Sequence, residues 1–134
     1  MDPSQVNWLA VLAAAALTFV LGGLWYSPLL FGRAWQRLAE LSDERVKEGV
    51  GRVFFGAAIA ATIGATNLAF FLGPDATFGF GLGAGAAVGV GWVSTALTTT
   101  YLFERRPMAL TAIDAGYHAV SYAMMGALLG AWHG

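Results

Sequence analysis

Charged side chains divide this chain into long apolar intervals. No Asp, Glu, Lys or Arg occurs in 3–32, in 53–74 or in 76–103, and 108–132 is interrupted only by Asp114 and His118. Each interval exceeds the roughly 20 residues that a helix needs to cross about 30 Å of hydrocarbon. The pattern predicts an all-α polytopic membrane protein, a single domain over 1–134. Its four transmembrane helices fall at about 6–26, 53–72, 78–103 and 108–132.

The break between the first two spans has a helical pattern of its own. Pro28 disfavours helical geometry at Ser27, so the backbone bends there and Leu29 to Phe31 run along the interface. Beyond it Trp35, Leu38 and Leu41 recur at helical spacing against Arg33, Arg37 and Glu40, which suits a short helix lying on the membrane surface. Ser42 is placed to cap a second short helix, with Asp43 and Glu44 in its first turn and Gly49 beyond its end. The connector reads as a solvated interfacial link, a gate or docking surface being the alternative.

Composition agrees with the pattern: 57% of the 134 residues are hydrophobic and 11% charged, too little polar surface for a water-soluble domain of this length. Charge placement gives a direction. All seven basic residues lie between the first and second spans (Arg33, Arg37, Arg45, Lys47, Arg52) or between the third and fourth (Arg105, Arg106). Short loops rich in Lys and Arg stay cytoplasmic, so connectors 27–52 and 104–107 are expected inside, with both termini and the turn 73–77 outside. The opening "MDPSQ" lacks the basic region of a secretory signal, so the first span is kept.

Aromatic residues fit this frame, Trp8, Phe78 and Trp132 at the outer interface and Trp25, Tyr26, Phe54, Phe55 and Tyr101 at the inner one. Trp92 falls mid-span, is expected to pack on another helix, and then needs an acceptor for its indole N–H. Absence of cysteine removes disulfides and thiolate chemistry. The net charge of -1 gives nucleic acid no basic surface to meet.

Small residues recur at four-residue spacing within the spans: Gly56, Ala60 and Gly64; Gly81, Gly85 and Gly89; Gly126 and Gly130. No hydrophobic force draws helices together in lipid, and close backbone approach over such ladders supplies van der Waals contact instead. Packing within the chain and self-association into a homo-oligomer both fit. The lipid bilayer is the remaining partner.

The polar residues are the informative exceptions. At about 1.5 Å per residue, Asp114 lies roughly 9 Å into the fourth span and His118 roughly 15 Å, near the midplane. Thr18, Thr62, Ser94 and Thr95 fall at His118's level, so all four spans feed one polar layer. An unpaired aspartate there costs about 3 kcal/mol on insertion scales. Protonation, an ion pair with His118, or a snorkelling Arg105 or Arg106 would each offset it. Asp114, His118 and Tyr122 share one face, which must look into the bundle.

Two readings stay open for this face. As a proton relay or polar binding site, Asp114, His118, Tyr122, Thr62, Ser94 and Thr95 would serve a small transporter or channel for protons or a small solute; histidine suits because its pKa lies near neutrality. As structural glue, the same groups would fix which helices meet, in a non-catalytic protein acting through helix association. A metal site fits poorly, because the other histidine, His133, belongs at the outer surface and no second carboxylate shares the layer. No catalytic arrangement, metal or cofactor is expected. The glycines of "FGFGLGAGAAVGVG" follow no strand and are packing residues, not a dinucleotide fingerprint.

Four pieces taken in order carry a resemblance: "NWLAVLAAAALTFVLGGLWYSPLLFGRAW", "LSDERVKEG", "YLFERRP" and "IDAGYHAVSYAMMGALLGAW". Together they resemble the small bacterial membrane proteins grouped as the domain of unknown function 1761 family. The resemblance implies a four-span protein of the bacterial inner membrane, without an assigned activity, substrate or cofactor.

Overall fold

The computed structural model describes residues 2–132; the expectation for His133 lies outside them. Among the described residues the chain is helical, without strands. Helix α1 spans Trp8–Trp25, α2 Gly32–Leu38, α3 Asp43–Lys47 and α4 Val50–Leu72. Helix α5 spans Phe78–Val88 and continues through a π-helical segment, Gly89–Ser94, into α6, Thr95–Phe103. Helix α7 runs from Met108 to Ala131.

Local chemistry sets these boundaries. The Asn7 side chain accepts from the Ala10 N–H and opens α1, whose alanine run has the highest intrinsic helix propensity. After α1 the Ser27 carbonyl accepts from the Leu30 and Gly32 N–H groups, making the predicted bend at Pro28. A Cβ at Gly32 would collide with the Tyr26 and Ser27 backbone, so the turn needs glycine there. Ser42 caps α3 through the Arg45 N–H, and Thr77 caps α5 through the Phe80 N–H. Gly49, at φ +60, supplies the left-handed residue that lets α4 start.

Three helical stretches are long and apolar enough to cross a membrane: Trp8–Trp25, Val50–Leu72 and Phe78–Phe103. Their outward side chains need an apolar surrounding. Val20 and Phe71 are each 70% exposed, and Phe55, Ile63 and Val90 add to the same coat, an apolar surface that water would not tolerate at this extent. The chain is therefore membrane-associated. Trp92 belongs to this coat as well, 59% exposed with its ring edge-on to Phe71 of α4.

The sequence gives α7 the rank of a fourth equal span, and here the structure differs. Its 24 residues form one continuous helix, but that helix is less apolar than the other three and sits among them. It touches α1, α2, α4, α5, the π-helical segment and α6. Ten of its residues are buried, Asp114 and Ser121 among them. It is the most enclosed of the long helices, although Met108, Ala112 and Val120 still face outward.

The tightest contact is between α5 and α7. A Cβ on Gly81 would strike the Gly126 carbonyl, one on Gly85 the Tyr122 carbonyl, and one on Gly130 the Thr77 carbonyl. Partners run backwards along α7 as α5 advances, so the helices are antiparallel and two of the predicted ladders mesh with each other. The third ladder differs: Gly64 lies under the Tyr122 hydroxyl, whereas Gly56 has open space. Where α1, α4 and α7 meet, Val6, Ala10, Ala14, Ala65, Leu68 and Met125 form the apolar core.

This geometry separates glycines that look alike in sequence. Gly81→Ala forces a methyl group into the α7 backbone and is expected to cost about 1–3 kcal/mol or more. At Gly83 an added Cβ meets nothing within 4 Å, so Gly83→Ala should gain roughly 0.5–1 kcal/mol from helix propensity. Thermal unfolding of the two variants in detergent should shift in opposite directions; equal shifts would contradict the α5–α7 contact.

Candidate functional site

Three elements converge on Asp114, which is 9% exposed. Tyr26, just beyond α1, donates its hydroxyl to Oδ1 at 2.8 Å. Tyr101, on α6, donates to Oδ2 at 2.6 Å, a length in the range of roughly 2.5–2.7 Å typical of charge-assisted O–H···O⁻ bonds. A carboxylate offers only acceptors, and both its oxygens are engaged. Each such bond contributes about 1.5–3 kcal/mol, so the pair offsets the roughly 3 kcal/mol insertion cost of an aspartate.

None of the three partners anticipated from sequence fills this role. Arg106 pairs with Glu104 at 2.6 Å and lies over the Tyr101 ring, 5.0 Å from its centroid. Arg105 donates to the Phe103 carbonyl. No hydrogen bond among the described residues joins His118 to Asp114. Both arginines bond to near neighbours at the exposed end of α6, whereas the two phenols reach Asp114 directly.

The same end of the bundle is fastened by indole and phenol groups. Trp25 Nε1 donates to the Ile113 carbonyl at 3.0 Å, and Tyr117 Oη donates to the Thr18 carbonyl at 2.9 Å. Gly116 and Gly22 leave room for those two rings, since a Cβ on either would press on Trp25 or Tyr117 respectively. Tyr26 also lies edge-on to Trp35 of α2, with centroids 5.1 Å apart. One ring thereby touches both the interior carboxylate and the surface helix.

His118 occupies a different environment. It lines a cavity of about 230 Å³ between α1, α4 and α7, shared with Thr18, Phe19, Ser121, Tyr122 and Met125. Ser121 is 3% exposed, and its hydroxyl is buried without a hydrogen-bond partner among the described residues. Serine inside a helix commonly donates to the carbonyl four residues back. Here that bond is not made, and the hydroxyl is sealed beneath the surface of a cavity that Ser121 helps to line.

The remaining predicted polar residues do not join this group. Thr62 Oγ1 donates to the Ala58 carbonyl at 2.8 Å and Thr95 Oγ1 to the Gly91 carbonyl at 2.7 Å. Each is spent on its own helix. Ser94 does cross to α7, donating to the Ala115 carbonyl at 3.0 Å, where the π-helical segment brings it alongside. Asp114, Tyr26 and Tyr101 thus form one cluster; His118, Ser121 and Tyr122 line the cavity one to two turns further along α7.

Residues 9–130 match the family described as Protein of unknown function (DUF1761). The chain belongs to the DUF1761 family. The match takes in nearly all of α1 and α7 and everything between them, so both clusters lie inside the DUF1761 region. No curated protein and no solved structure matches the chain.

Sequence reasoning passed over Tyr26, Tyr101 and Ser121 in this DUF1761 protein. A signal for the tyrosines was present: each sits at the inner boundary of its span, within side-chain reach of Asp114's depth, yet both read simply as interface aromatics. Ser121 carries no such signal, because only packing decides whether a hydroxyl is satisfied.

If the phenols hold Asp114, double-mutant cycles of Tyr26→Phe and Tyr101→Phe with Asp114→Asn should each give a coupling of about 1.5–3 kcal/mol. That exceeds the roughly 0.6 kcal/mol average for hydrogen bonds between membrane helices. Reversible unfolding in mixed micelles measures it, and couplings at or below that average would remove Asp114 as the fastening point.

Proposed function

We propose that this chain is a four-span integral membrane protein of the bacterial inner membrane, with both termini outside, that moves a small solute or protons through its bundle. His118 and Ser121 stand at the point where the cargo is held. The Ser121 hydroxyl carries the reading: a buried, unpartnered polar atom in a native core calls for an explanation such as water or a ligand, and Ser121 stands in the wall of a cavity that His118 also lines.

The fourth span is supported by the length of α7, about 36 Å at 1.5 Å per residue, and by its enclosure. A helix whose polar residues face protein crosses a bilayer without being uniformly apolar. Asp114 with Tyr26 and Tyr101 closes the bundle on the side of the basic connectors. The apolar core around Ala14, Ala65, Leu68 and Met125 closes it on the other, below an outer hollow of about 400 Å³ that Asn7, Trp8 and Trp132 help to line. This arrangement is that of a carrier between openings, not of an open channel.

In proteoliposomes, proton or solute flux above that of empty liposomes is expected to fall at least fivefold in Ser121→Ala and His118→Ala. Tyr26→Phe should raise the leak by loosening the inner closure. Wild-type flux indistinguishable from empty liposomes, under both a pH gradient and a membrane potential, would end the transport reading.

Orientation has its own check. The chain has no cysteine, so single replacements report cleanly. A membrane-impermeant maleimide applied to intact cells should label Asp75→Cys and spare Glu44→Cys; the reverse pattern would invert the assigned topology.

A further inference from the structure

We infer that a second cavity, between α4, α7 and the π-helical segment, binds the ring of a neutral, lipid-borne quinone. This cavity shares only Tyr122 with the one that His118 lines, so its occupant is independent of the transported cargo. It has a volume of about 260 Å³, with Gly64, Asn67 and Phe71 on one side and Trp92 and Val93 on the other. Helices α4 and α5 barely touch, and Asn67, Phe71 and Trp92 are exposed on this flank. The mouth therefore opens to acyl chains, and the occupant arrives dissolved in lipid.

Polarity selects a neutral ligand rich in acceptors. No Asp, Glu, Lys, Arg or His lines the cavity, so a charged head would enter without a counter-charge, at high cost in such a setting. The lining is nevertheless not inert. The Tyr122 hydroxyl lies against Gly64, where an added Cβ would strike it, and Gly64 is itself part of the wall. No hydrogen bond among the described residues engages that hydroxyl or the Trp92 indole N–H. Asn67 donates to the Ile63 carbonyl at 2.9 Å, which leaves its second N–H and its own side-chain oxygen. Acyl chains offer such groups no partner. Each of the three residues brings a donor, and the indole has nothing else to bring, so carbonyl oxygens suit this lining better than hydroxyl groups.

Ring chemistry and size narrow the class. Phe71 and Trp92 meet edge to face, with centroids 5.5 Å apart and planes at 77°, and Tyr122 adds a third ring. Aromatic walls favour a flat ring over a branched or flexible head, and an electron-rich indole and phenol favour an electron-poor one. A quinone combines that ring with two carbonyl oxygens, no charge and a tail that stays in the bilayer. The volume equals roughly eight or nine waters at about 30 Å³ each, below the roughly 300–1,000 Å³ of sites that enclose a whole drug-sized ligand. The ring fits, and the tail remains outside. The backbone agrees: π-turns within helices are frequent at functional sites, and the one over Gly89–Ser94 supplies Trp92 and Val93 to the wall.

The test titrates the full chain in phosphatidylcholine nanodiscs with decylbenzoquinone, corrected for empty discs. A quinone quenches tryptophan emission at short range, and the chain has five tryptophans. Saturable quenching is expected, and Trp92→Phe should remove most of it. By partition into loaded against empty discs, decylbenzene, which lacks the carbonyls, should bind at least tenfold more weakly. Tyr122→Phe should weaken quinone binding at least fivefold. Gly64→Ala, whose methyl group displaces the Tyr122 hydroxyl, should act in the same direction, while Gly83→Ala leaves binding unchanged. Decylbenzene binding as tightly as the quinone would overturn the assignment, as would full saturable quenching in Trp92→Phe or no saturable binding at all. Wild-type affinity in both Tyr122→Phe and Gly64→Ala would overturn it too.

Discussion

The contact of two backbones, α5 against α7, is the constraint on which the rest of the molecule depends. Between membrane helices lipid supplies no net apolar attraction, so shape must provide the cohesion. Gly81, Gly85 and Gly89 on one side, and Gly126 and Gly130 on the other, remove every Cβ that would hold the axes apart. With α7 pinned on this flank, α1 and α4 close over its other faces. The π-helical segment then follows: at its start Gly89 lies against Ala119, and at its end Ser94 reaches the Ala115 carbonyl. A π-turn inside an α-helix often marks a functional site, and this one lies level with the cavity residues of α7.

Enclosing α7 changes what its polar residues cost. On a lipid-facing helix Asp114 would oppose insertion by several kcal/mol; in the centre its two oxygens meet two phenols. Charge is thereby confined to one end of the bundle and kept out of the cavity. His118 and Ser121 stand outside that cluster, on the next turns of α7. A fully satisfied cluster and a partly unsatisfied one thus lie a turn or two apart on the same helix.

Much of this architecture was legible in the residues. Charge-free intervals located the helices; Pro28 and Ser42 marked turns that the structure contains; and four-residue glycine spacing pointed to close packing. Hydropathy ranked α7 with the others because length dominates such a reading, although its Asp, His, Ser and Tyr content already hinted at an inner position. Two members of the expected hydroxyl layer bond to their own helices for a physical reason. Thr62 and Thr95 have carbonyls of their own helices within reach, and a local bond forms without any neighbour. Depth alone therefore could not distinguish Ser121, which is unsatisfied, from Thr62, which is not.

Placement of the central helix also bears on how the molecule is made. As the chain emerges from the ribosome, α1, α4 and the stretch from α5 to α6 all precede α7, so the periphery exists before its centre. Until α7 arrives, the glycine face of α5 and the phenols of Tyr26 and Tyr101 have nothing to grip. Docking of the least apolar helix thus becomes the step that completes the bundle, and a chain halted before residue 108 would present the cell's quality-control machinery with helices that lack their shared partner.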